Sequence, residues 1–226
     1  MYFEEKGEGF PLVLLHGNGE DHHYFDRQID FFSRYYRVLA PDTPGHGLSP
    51  KGEGDFTLER FSRDLHTLLE EQKISGCHLL GFSDGGNIAL HFALQFPSAV
   101  NRLILNGANL FPSGVCTKIQ LPVVLGYRLC SFFGLFSEEA QKKASILGLM
   151  VKEPHFHPEE LRKLRMPTLV LVGDRDMIKE KHSRLIASSL PDGRLKILPG
   201  SHFLAAEAPD LYNQTVLKFL KGAQNP

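Results

Sequence analysis

The sequence predicts an α/β fold: a mostly parallel central sheet flanked by helices, with a short helical insertion. Three observations carry this. Short apolar runs alternate along the chain with stretches of helical period. The runs are continuous rather than polar on every second residue, as strands covered on both faces require. The alternation stops between about 110 and 165, where prolines, glycines and aromatic pairs such as Phe132 and Phe133 replace any clear strand. That segment reads as a helical lid insertion, 110–165, in a core made of 1–109 and 166–226. A chain of 226 residues that is 42% hydrophobic is long enough for one such core and too short for two full domains.

The strand runs are "PLVLLHG" (11–17), "YRVLA" (36–40), "CHLLGF" (77–82), "RLILNG" (102–107), "TLVLVGD" (168–174) and "RLKILPG" (194–200). All but the second and third end in Gly or Asp; the second is followed at once by Pro41, and the third has Gly81 as its next-to-last residue. Between the second and third, "TLERFSRDLHTLLEEQ" puts Leu58, Phe61, Leu65, Leu68 and Leu69 on one stripe, with Thr57 as N-cap. "DGGNIALHFALQF" is a second helix, directly after the third strand. The C-terminal segment "DLYNQTVLKFLKG" predicts a closing helix with Leu211, Thr215, Leu217 and Leu220 inward and Gly222 at its end.

Several function classes are disfavoured on composition. A net charge of -1 without a basic stripe argues against nucleic acid as a partner. Three cysteines, Cys77, Cys116 and Cys130, with no C-x-x-C spacing make neither a disulfide framework nor a metal knuckle. The start "MYFEEKGEG" lacks a basic segment followed by an apolar one, so a cytoplasmic location is expected. "LPVVLGYRLCSFFGLF" (121–136) is apolar but short for a bilayer and interrupted by Pro122 and Arg128, so no integral membrane segment is expected. "HFH" (155–157) and "DHH" (21–23) have no third ligand at recognisable spacing, and "GEGF" and "GNGE" lack the G-x-x-x-x-G-K of a phosphate loop. No metal and no cofactor is expected.

The chemistry concentrates in "GFSDGG", 81–86. In a G-x-S-x-G stretch between strand and helix, the serine occupies a very tight, strained turn whose neighbours must be small, and Gly81 and Gly85 supply the room. The turn lifts Ser83 to the carboxyl end of the sheet, where open α/β folds bind ligands. The plainer reading of five residues alone is a glycine-rich turn whose serine caps the helix. A catalytic serine needs a base and a group that orients the base. "LVGDRDMI" offers Asp174 and Asp176 after one strand, and "LPGSHF" offers His202 after the last.

With "LLHGNGED", "APDTPGHGLS", "GFSDGG", "LVGDRD" and "PGSHF" in this order, the chain resembles the α/β-hydrolases over nearly its whole length, and within them the biphenyl-hydrolase-like esterases. The resemblance implies Ser83 as nucleophile, His202 as base and Asp176 as its orienter, with Asp174 a turn residue. Asn106 and Asn109 leave the alternative acid position without a carboxylate. It implies an oxyanion hole made of the backbone N–H groups of Asn18 and Asp84, with His16 bracing that loop and His46 shaping a nearby turn. It also implies a small or medium carboxylic ester or related acyl compound as substrate. Three alternatives stand beside this: an amino-acid ester held through the Asp84 side chain, a carbon–carbon bond hydrolase or lipase- or thioesterase-like activity, and a non-catalytic ligand receptor on the same fold. The chain departs from the family in its first strands, reduced to "YFEEK" at most, which would expose a sheet edge; monomer and homodimer both remain open.

Overall fold

The computed structural model describes residues 1–222. Seven strands form one sheet in the order β1-β3-β2-β4-β5-β6-β7. They are β1 (Phe3–Lys6), β2 (Pro11–Leu15), β3 (Arg37–Pro41), β4 (Cys77–Phe82), β5 (Val100–Asn106), β6 (Thr168–Gly173) and β7 (Gly193–Leu198). All neighbours pair in parallel except β1, which runs antiparallel to β3 from Phe3↔Pro41 to Lys6↔Val38. The "YFEEK" segment is therefore a true edge strand, and it covers β3.

The helices are α1 (Asp26–Phe32), α2 (Leu58–Glu71), α3 (Asp84–Gln95), α4 (Thr117–Phe133), α5 (Glu138–Lys152), α6 (Glu180–Ser189), α7 (Leu204–Glu207) and α8 (Pro209–Leu220). Side chains on a strand alternate between faces, so a continuous apolar run feeds two cores at once. Val13, Leu15, Leu79, Leu103, Leu105 and Val170 face a core shared with α2, α3 and α6. Leu12, Leu14, Leu80, Ile104, Leu169 and Leu171 face the opposite core, closed by α1 and α8.

The helix at 58–71 matches its predicted start: Thr57 is extended and its hydroxyl accepts the Arg60 N–H at 3.1 Å. Two readings need correction. The C-terminal helix buries Tyr212, Val216, Leu217, Phe219 and Leu220, while Leu211 is 45% exposed and Thr215 only half-buried. Placing the stripe on Leu211 and Thr215 set it one residue early; the larger aromatic side chains, Tyr212 and Phe219, set which face turns inward. The last strand, β7, is not covered on both faces, because it is the sheet edge, and Lys196 points to solvent. Helices α1 and α6 carry no sequence signal used above; both are short and cross between strands.

Between β5 and β6 the chain forms a helical hairpin, α4 and α5, between short 3-10 turns. Pro122 sits inside α4 without ending it. The hairpin is tied to the rest of the protein at Leu58, whose N–H donates to Glu153 Oε2 at 2.8 Å, and at Asn18, whose amide donates to the Ile146 carbonyl at 2.8 Å.

Candidate active site

Ser83 stands between the end of β4 and the first turn of α3 with φ 53° and ψ -121°. A non-glycine residue in this region is strained and persists only when its surroundings impose it. Here they do: a Cβ on Gly81 would collide with the Gly85 carbonyl, and one on Gly85 with the carbonyls of Leu15 and His16. The strand, the turn and the helix start are thus closer together than any other residue allows. The Ser83 N–H donates to the Asn106 carbonyl at 2.8 Å, fixing the turn to β5. Its side chain makes no capping bond, so the plainer reading of "GFSDGG" as a capped helix does not describe this serine.

Asp176 and His202 come together across the ends of β6 and β7. His202 Nδ1 donates to Asp176 Oδ1 at 2.7 Å, and both side chains are almost fully buried. The same carboxylate accepts the N–H groups of Ile178 at 2.9 Å and Gly173 at 3.3 Å. Asp174, two residues earlier, faces elsewhere: its Oδ1 accepts the Gly200 N–H at 3.0 Å and so ties the loop that carries His202. A carboxylate on Nδ1 holds the proton there and leaves Nε2 as the basic atom. His202 Nε2 is buried and has no hydrogen-bond partner among the described residues. The ring packs against Phe82, next to Ser83, with centroids 4.8 Å apart, and a side chain on Gly107 would strike it.

The loop after β2 is built around His16. The Thr43 N–H donates to His16 Nε2 at 3.0 Å, so Nδ1 carries the proton and meets the Gly17 carbonyl at 2.8 Å. Burial pushes this histidine down to about 4, which keeps it a neutral brace. His46 is buried beside it, with its Nδ1 within 3.0 Å of Thr43 Oγ1 and its N–H on the Thr43 carbonyl. The "DHH" segment is structural as well: His22 bonds buried Asp42 at 2.8 Å through its ring. Among the described residues no group of three His, Cys, Asp or Glu side chains is arranged to hold a metal ion.

Asn18 occupies the tip of this loop, opposite the first residue of α3, Asp84. The Asp84 carboxyl is buried; Oδ1 accepts the Asn87 amide at 3.2 Å and Oδ2 has no partner among the described residues. Burial pushes it up to about 6, against the opposing pull of that amide. Asn87 in turn holds the loop after β5 by accepting the Asn109 N–H at 2.9 Å.

One residue of this site was missed by the sequence reasoning. Glu20 Oε2 accepts the Gly17 N–H at 3.1 Å while its own N–H donates to the Gly17 carbonyl at 3.3 Å, closing the turn that presents Asn18. Burial pushes its carboxyl up to about 7, against the pull of that N–H and of nearby His202. The only signal was its spacing, three residues after Gly17 with Gly19 at φ 77° between them, which is turn geometry.

The fold has counterparts among known proteins. Residues 11–151 match the model of the alpha/beta hydrolase fold family. The chain belongs to the α/β-hydrolase fold family. It is 26% identical to the 2-hydroxy-6-oxo-6-(2'-aminophenyl)hexa-2,4-dienoic acid hydrolase of Metapseudomonas resinovorans, covering 96% of this chain and 86% of that protein. Among solved structures it is similar to a hydrolase from Pseudomonas aeruginosa PA01, with TM-score 0.78 and 25% identity over 96% of this chain and 93% of that one. A thermophilic esterase from Thermogutta terrifontis shares the fold, with TM-score 0.82 and 24% identity over 99% of this chain and 94% of that one.

Proposed function

We propose that this α/β-hydrolase is a serine hydrolase of small or medium carboxylic esters, acting through an acyl-enzyme. The observation that carries the reading is the buried 2.7 Å bond from His202 Nδ1 to Asp176, beside a serine held at φ 53°. His202 Nε2 takes the Ser83 proton as the hydroxyl attacks the ester carbonyl, then returns it to the leaving alcohol. A water activated by the same nitrogen then releases the acid. Catalytic hydrogen bonds such as that from Ser83 to the unpartnered His202 Nε2 tighten when substrate binds. The N–H groups of Asn18 and Asp84 stabilise the oxyanion; losing one such donor typically costs about a hundredfold to a thousandfold in turnover. No group in the pathway needs a metal or organic cofactor.

The α4–α5 hairpin acts as the roof of this site, since Asn18 at the oxyanion loop is bonded directly to α5. A second reading rests on one atom: the unpartnered, buried Oδ2 of Asp84 suits the ammonium of an α-amino-acid ester. Both readings are tested with a fluorophosphonate and with p-nitrophenyl acetate and butyrate, on wild type and Ser83→Ala. Labelling at Ser83 and turnover lost in the variant support the hydrolase; neither labelling nor turnover leaves a ligand receptor on this fold. Matched esters with and without an α-amino group then decide the role of Asp84. A carbon–carbon hydrolase would prefer vinylogous ketone substrates over all of these esters.

A further inference from the structure

Helix α4 has no fully buried residue and carries most of its large apolar side chains on an exposed face. Toward α5, Gln120 donates to the Met150 carbonyl at 3.0 Å, Gly126 lies on Leu147 and Tyr127 lies on Gly148, and Val123 and Val124 are half-buried. Its outer face carries Leu121, Leu125, Leu129, Phe132 and Phe133, all more than half exposed. The turn that follows adds Leu135 at 74% and Phe136 at 81% exposure. Single exposed apolar residues are common, but a continuous row along about 18 Å of helix is not, and such patches mark interaction surfaces.

The charges around the row select its partner. Residues 110–137 contain no Asp or Glu, and the cations there, Lys118 and Arg128, are both exposed. Lys142 stands exposed at the start of α5, where Glu139 is paired with Lys143 at 2.7 Å, while Asp55 and Glu153 border the cavity on the other side of Tyr127 and Leu135. A second copy docked antiparallel on the same face would bring Arg128 against its own counterpart with no carboxylate between them. A lipid interface, by contrast, takes the Leu and Phe side chains into its acyl boundary and the cations onto its phosphates. No helix of the described residues is long and apolar enough to cross a membrane, which agrees with a helix lying on the surface.

From this we infer that the outer face of α4 docks the protein on an anionic lipid surface. The inference stands whether or not Ser83 is a nucleophile. Its test is flotation of the full chain with vesicles of phosphatidylcholine alone and of phosphatidylcholine with phosphatidylglycerol, at low and high salt. The expected result is binding to the anionic vesicles that weakens with salt. Leu125→Glu with Phe132→Glu lowers that binding at least about tenfold, with an unchanged circular-dichroism melt because both side chains are already exposed. Arg128→Glu lowers it roughly fivefold or more and only on the anionic vesicles. Wild type that stays unbound on every vesicle, or a double variant that binds as well as wild type, overturns the proposal. So does a dimer in light scattering that the same double variant dissolves, because the face then belongs to a second copy.

Discussion

The proposed role of Asp176 makes a prediction in which stability and activity separate. Asp176→Asn keeps the size of the side chain and removes its charge. Two donors, His202 Nδ1 and the Ile178 N–H, converge on Oδ1 at 2.7 and 2.9 Å, and one longer contact, the Gly173 N–H at 3.3 Å, reaches Oδ2. Asparagine therefore settles with its oxygen toward His202 and Ile178 and its amide toward Gly173, losing only the weakest bond. That costs the fold about 1 kcal/mol. The charge is a larger matter. With charge centres about 4 Å apart and an effective dielectric near 20, the carboxylate stabilises the imidazolium formed during attack by about 4 kcal/mol. At about 1.4 kcal/mol per tenfold, the variant loses roughly a thousandfold in kcat. The assay is p-nitrophenyl butyrate turnover together with the rate of fluorophosphonate labelling, read beside a thermal melt. Asp174→Asn serves as the comparison, since Asp174 ties the Gly200 N–H and pairs with exposed Arg175 without touching His202, and it loses less than about tenfold. A rate for Asp176→Asn within tenfold of wild type, or a smaller loss than that of Asp174→Asn, refutes the assignment of Asp176.

Two further outcomes concern the frame of the site. Gly81→Ala destabilises by at least the upper end of the about 1–3 kcal/mol range for overpacking, because the obstacle is the Gly85 backbone, and chemical denaturation measures it. The pH dependence of stability has two parts of opposite sign. His16, His78 and His182 are pushed down to about 4 by burial, so the unfolded chain binds their protons first and stability falls as pH drops from 6.5 toward 4. Glu20, raised to about 7 from an ordinary 4.5, acts the other way: the folded state holds its proton longer, so its contribution declines as pH rises from 4.5 to 7. Glu20→Gln keeps the acceptor for the Gly17 N–H, and the stability difference from wild type grows in the variant's favour across that window. A difference that stays flat in urea titrations from pH 4.5 to 7 removes Glu20 from the interior.

Much of the fold is written locally. Strand, turn and helix period depend on residues a few positions apart, which is why "CHLLGFSDGG" announces β4, the tight turn at Ser83 and the start of α3 together. The same local logic placed Thr57 as a cap. It failed where two faces compete for burial: Leu211 and Tyr212 both fit a helical stripe, and the shape of the core under α8 chose Tyr212.

The sequence by itself determined the order of the elements, the continuous strands that feed two cores, and the residue types of the site. The motif resemblance pointed to Asp176 rather than Asp174, and the tertiary structure supplies the contact itself, because their partner His202 arrives from the end of the next strand. Only the tertiary structure decided that Glu20 folds back onto Gly17, and that α4 turns its Leu and Phe side chains away from the protein. Periodicity identifies an apolar face; which neighbour, if any, covers that face depends on contacts between residues far apart in the chain.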